Sequence, residues 1–129
     1  EPEEVKAMAH FTDKKIDDFA TGYFEFADGK KASFTTGMCS AQRGDRFFIN
    51  GTEGILEAPV PFNQEGEITY YIVKDDIKEK HTVFAPNNYT LEVEQLGKCI
   101  TEGEQPYVSN DFSIINARTI DRVLENMGY

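Results

Sequence analysis

Along the first two-thirds of the chain, apolar and polar residues follow the short period of strands. Along the last third they recur every three or four residues. Runs from Val5 to Phe11, Asp17 to Phe26, Lys31 to Met38, Arg46 to Asn50, Gly54 to Ala58, Glu67 to Val73 and Lys80 to Phe84 are rich in Phe, Tyr, Ile, Val and Thr. They predict six to seven strands in an antiparallel meander. Pro59 and Pro61 end the fifth run, and the charged turn KDDIKE joins the last two. Tyr89, Val93, Leu96 and Ile100 then form one helical stripe, closed by Gly103 and Pro106. Ser109 reads as the N-cap of a second helix, with Asn110 and Asp111 in its first turn. Its stripe is Ile114, Ala117, Ile120, Leu124 and Met127, and Gly128 ends it. Strands first and helices last predict an α+β fold: a predominantly antiparallel open sheet with two C-terminal helices packed on one face.

The turn at Asp28-Gly29 can be argued in more detail. A two-residue turn would set Phe24 opposite Ser33 and Tyr23 opposite Phe34, mixing apolar and polar positions on both faces. An odd loop, such as a three-residue turn with Gly29 in the left-handed region, sets Phe24 against Ala32 or Phe34. One face then carries Phe24, Phe26, Ala32 and Phe34, and the other Phe19, Thr21, Tyr23, Ser33 and Thr35. Positive φ at Gly29 is therefore expected, and the hydroxyl-and-aromatic face suits solvent or another protein surface.

Charge narrows the partners. A formal net charge of -10 over 129 residues repels phosphate backbones and anionic lipid, so nucleic acid and membranes are not expected partners. The basic pairs Lys14-Lys15 and Lys30-Lys31 read as loop residues at strand ends. The length suits one domain spanning residues 1–129. The acidic opening EPEEVKAMAH has no apolar stretch, which predicts no signal peptide and a cytoplasmic location. A first residue of Glu rather than Met suggests a fragment or a processed chain. Cys39 and Cys99, without CxxC or a Cys/His cluster, read as reduced, buried small hydrophobes rather than a metal site or a disulfide.

The stretch NGTEG invites a nucleotide-loop reading. It lacks the third glycine of GxGxxG and the lysine of a P-loop, and it leads into a strand, GILEAP, not a helix. It is a tight turn. Yet GTEG before an I-L-E strand, FEFADGKKASF, YTLEVEQLGKCITEGEQP and SNDFSIINARTIDRVLEN stand in an order that resembles the C-terminal domain of Gfo/Idh/MocA-family NAD(P)-dependent oxidoreductases. The resemblance covers nearly the whole chain. It implies a full-length protein in which a Rossmann domain, absent here, carries the cofactor glycines and the lysine of an E-K-P motif. The family's catalytic His and its acidic partner would sit on a helix before the hairpin. None of these is found here, and His10 and His81 fall in strand-like contexts outside that pattern. No catalytic, cofactor-binding or metal-binding residue is therefore expected in this chain, with NAD or NADP belonging to the full-length protein.

The resemblance further implies that the segment before the GTEG strand, residues 40–46, faces a substrate pocket. Gln42, Arg43 and Arg46 could bond sugar hydroxyls or a carboxylate, and Tyr89, ahead of the first helix, could join them. Asp17-Asp18 and Asp75-Asp76 evoke paired glycosidase carboxylates, but adjacent strand residues point to opposite faces. The expected function is a substrate-binding and dimerisation domain of an oxidoreductase acting on a sugar or cyclitol-like molecule, self-associating through its open sheet face. The alternative is a stand-alone interaction module without catalytic activity.

Overall fold

A computed structural model describes residues 1–39, 44–60 and 62–129. Seven strands and two helices follow in order: β1 (Glu4–Phe11), β2 (Asp17–Glu25), β3 (Lys31–Gly37), β4 (Phe47–Asn50), β5 (Ile55–Ala58), β6 (Gly66–Lys74), β7 (Ile77–Ala85), α1 (Asn88–Thr101) and α2 (Asn110–Met127). The α+β class, the antiparallel pairing and the two closing helices agree with the sequence reading. The strands form two sheets, β1-β2-β3 and β4-β5-β6-β7, where the sequence suggested one. The chain accordingly divides into two units, Glu1–Gln42 with Val108–Tyr129, and Arg43–Tyr107.

In the first unit, Val5 pairs with Phe24, Ala7 with Gly22 and Ala9 with Ala20, while Phe24 pairs with Ala32 and Gly22 with Phe34. Directly opposed residues share a face. That face is apolar and mostly small-chained, which lets α2 lie close along β1. Val5 and Ala20 are buried beneath it, at 7% and 3% exposure. The Phe34 ring lies over Gly22, where a Cβ would come within 2.2 Å of it. The Ala27–Gly29 loop has the odd length expected. Phe26 N–H donates to Lys30 O (3.0 Å), Gly29 N–H to Phe26 O (2.8 Å), and Gly29 has φ 80°.

Ser109 caps α2, accepting from Phe112 N–H at 3.1 Å, and Gly128 ends it at φ 97°. The covered side of α2 runs through Ile115, Thr119, Arg122, Val123, Leu124 and Met127, while Ile114 and Ile120 stay half exposed at 49% each. The expected stripe is thus turned by about one residue. The cause is Arg122, whose guanidinium donates to the backbone carbonyls of Pro2 and Glu3, the latter at 2.7 Å.

In the second unit, β4 to β7 pair in sequence order. β6 and β7 join through Asp75-Asp76, both at positive φ (49° and 62°), with Lys74 opposite Ile77. This two-residue turn is tighter than the charged loop expected, because aspartate tolerates the left-handed region better than most residues. The GTEG turn closes with Gly51 N–H donating to Gly54 O at 2.9 Å. A Cβ at Gly54 would sit 2.6 Å from Val73 O, so β6 approaches this turn too closely for any side chain. Asn87 caps α1, accepting from Thr90 N–H at 3.1 Å. The predicted stripe of α1 remains in solvent, with Tyr89 and Ile100 both 74% exposed.

Candidate substrate-facing site

Strand register sorts the second unit into two unlike faces. On one, Leu56 opposes Ile72, Ile68 opposes Val83, and Tyr70 opposes and stacks on His81, ring centroids 5.1 Å apart. This apolar face lines a shallow hollow of about 430 Å³. On the other, Phe48 opposes Glu57, Glu57 opposes Tyr71, and Tyr71 opposes Lys80. Here Arg46, Phe48, Glu57, Pro59, Tyr71 and Lys78 line a hollow of about 490 Å³.

The charges in this second hollow are arranged unequally. Lys78 pairs with Glu57 and lies over the Tyr71 ring, its Nζ 4.3 Å from the centroid. Arg46 has no ion pair or hydrogen bond among the described residues. Among the described residues, its guanidinium is thus the cation of this hollow that no carboxylate engages.

Of the residues picked from the sequence, Arg46 lines this hollow. Tyr89 lies in a different one of about 180 Å³, with Asn63, Gln64, Glu65, Asn87, Asn88 and Glu92. The two are therefore not brought together. Gln42 and Arg43 fall outside the described residues. Phe48, Glu57, Tyr71 and Lys78 escaped the sequence reading. The signal for them was period-2 register across β4 to β7, which needs the strand pairing to be known first.

The other candidates take structural partners. His10 Nδ1 meets Asp18 Oδ1 at 2.7 Å, while Asp17 accepts from the Tyr129 hydroxyl. Asp17 and Asp18 thus serve different partners. His81 approaches Glu79 at 3.6 Å beside Tyr70, its Nε2 enclosed without a hydrogen bond. Both cysteines are free and neither is buried as expected: Cys39, beyond the end of β3, is exposed, and Cys99, on the largely exposed α1, is half-buried. On the outer face of β2 and β3, Tyr23 donates to Glu25 at 3.1 Å, and Lys31 also pairs with Glu25 at 3.1 Å. Those bonds, Lys31 foremost, hold the Glu25 carboxyl below its ordinary range.

The described residues do not fit a dinucleotide. The glycine turn feeds β5, and both helix N-termini are already capped by side chains, Asn87 and Ser109. Among them, no three His, Cys, Asp or Glu side chains gather to hold a metal ion, and no helix is long and apolar enough to cross a membrane.

Residues 1–57 match the family model for the GFO/IDH/MocA C-terminal domain. No curated protein matches the chain. Among solved structures, it is similar to UDP-N-acetylglucosamine 3-dehydrogenase GnnA from Acidithiobacillus ferrooxidans in two crystal forms. Both give TM-scores of 0.73, at 15% and 16% identity, covering 97% of this chain and 39% of that one. It is also similar to a protein from Erwinia carotovora atroseptica SCRI1043 described as an oxidoreductase, with a TM-score of 0.67 and 15% identity over 98% of this chain and 40% of that one. Identities this low establish the fold alone, and the chain spans about two-fifths of the length of these structures. The resemblance read from the ordered motifs agrees with both findings: residues 1–57 match the family model for the GFO/IDH/MocA C-terminal domain, and the fold is similar to these structures over nearly the whole chain.

Proposed function

We propose that this chain is the substrate-facing and self-association domain of an NAD(P)-dependent oxidoreductase that acts on a sugar or cyclitol-like molecule. The observation that carries the reading is Arg46, a guanidinium without a partner among the described residues, which shares a hollow of about 490 Å³ with the aromatic residues Phe48 and Tyr71. Aromatic faces take the C–H faces of sugar rings, and charged donors fix hydroxyls or an anion. The GnnA likeness supports a sugar substrate for the longer protein. In this reading a Rossmann domain brings the nicotinamide and the proton-transfer groups. The present domain's share is positioning the substrate and excluding water. The open outer face of β2 and β3, with Phe19, Thr21, Tyr23, Ser33 and Thr35, serves self-association.

The test uses the full-length enzyme with its nicotinamide. Arg46→Ala and Arg43→Ala should lower kcat/KM by about tenfold or more, the cost of a hydrogen bond to a charged group. Unchanged kcat and KM in both would remove residues 40–46 from the substrate side. Light scattering on the chain at high micromolar concentration should give more than a monomer mass; a monomer would remove the self-association role.

A further inference from the structure

The Arg46 hollow also carries information on the chemical class of its ligand, an inference that rests on the substrate-facing role proposed for this domain. The polar face of β4 to β7 is basic in a chain whose net charge is -10. Residues opposed in register share a face, so Lys80, opposite Tyr71, lies on the same face as Lys78, while Arg46 and Lys78 are the cations that line the hollow itself. Two cations in the hollow meet one carboxylate, Glu57, and that carboxylate is engaged by Lys78. Glu67, the face's other carboxylate, is at the far end of β6, opposite Phe84. Lys80, like Arg46, has no ion pair or hydrogen bond among the described residues. In the hollow, Arg46 is the cation with no partner among the described residues, and Tyr71 lines the same hollow.

We propose that this face is an anion subsite, and that the ligand is a sugar derivative carrying a phosphate or carboxylate rather than a neutral sugar. The Arg46 fork holds the anionic group, which a planar guanidinium grips with two parallel bonds. The sugar ring lies against Tyr71 and Phe48. Lys78, locked to Glu57, keeps the Tyr71 ring in place. Lys80 adds attraction from the edge, and an otherwise acidic surface turns anions away elsewhere, which concentrates them here.

Amide NMR of the 129-residue chain tests this, with glucose 6-phosphate, glucose and inorganic phosphate as probes. Glucose 6-phosphate should shift the amides of β4, β5 and β6 around the hollow and bind about tenfold or more tighter than either other probe. Arg46→Gln should abolish that advantage. Arg46→Lys, which keeps the charge and loses the fork, should lose most of it and guards against a misfolded variant. Lys80→Gln should weaken binding about two- to threefold, in proportion to an exposed charge. Equal binding of glucose and glucose 6-phosphate at the hollow would overturn the anion subsite and leave the sugar reading standing. Inorganic phosphate binding as well as the sugar phosphate would overturn the sugar class while keeping the anion. Amides unmoved by every probe would overturn both.

Discussion

The two units are built from similar strands, yet only one has an interior. Pro2, Val5, Ala20 and Gly22 are the described residues that reach full burial, and all belong to the unit that contains α2. That helix is tied down along its length: Arg122 reaches the carbonyls of Pro2 and Glu3, and Tyr129 reaches Asp17 while its ring meets Phe11 edge-on at 5.2 Å. In the other unit the first helix is held at its cap, where Asn87 donates to Glu65 at 3.1 Å. Its stripe stays open, as do Phe47, Phe48 and Ile49 of β4. A strand or helix forms from its own pattern, but burial needs a partner whose side chains fit.

The largest expected difference between the units follows from burial. Val5→Asp puts an uncompensated charge under α2 and should cost about 3–5 kcal/mol, enough to unfold the first unit in a thermal melt. Ile49→Asp, at a position 52% exposed, should cost less than about 1 kcal/mol. Similar losses for the two would mean that α2 does not protect its sheet in solution.

A middle-sized effect sharpens the comparison from the other side. The second unit is loosely covered, but its turn geometry is tight. Gly54→Ala forces a methyl against Val73 O and should cost about 1–3 kcal/mol in urea unfolding. Gly97→Ala, where a Cβ meets nothing within 4 Å in the middle of α1, should be neutral or stabilise by up to about 1 kcal/mol. If both changes were equally mild, β5 and β6 would not pack as closely as the backbone here places them.

Where the determinants are local, the sequence was enough. The odd hairpin loop followed from face matching across Phe24 and Ala32, and the caps Ser109 and Gly128 each depend on residues within one helical turn. Three features were not legible, and each is non-local. The division into two sheets depends on pairings that strand patterns alone do not specify. The rotation of α2 depends on Arg122, a residue that hydropathy assigns to solvent, finding carbonyls 120 and 119 positions away. The cluster about Tyr71 depends on register across four strands. Arg46, which the structure places in the lining of the same hollow, was singled out because it lies in the segment that the family resemblance puts beside the substrate.

The smallest expected effect concerns how α2 is fastened at its end, and pH can isolate it. The hydrogen bond from the Tyr129 hydroxyl to the Asp17 carboxylate raises the phenol above its ordinary value of 10.0. A raised folded-state value means the protonated form is the one folding favours. Its contribution is complete below the ordinary phenol range and lost as pH rises through the raised value. Tyr129→Phe removes the hydroxyl and keeps the ring against Phe11. The variant should melt slightly lower than wild type at neutral pH, and the two curves should converge only as pH rises past the ordinary phenol value of 10.0 and through the raised one. The group is exposed, so the gap will be narrow and should shrink further in high salt. A gap that stays constant across this range would show that the end of α2 is held by the ring alone. The difference between the two units would then rest on packing and on Arg122, not on this bond.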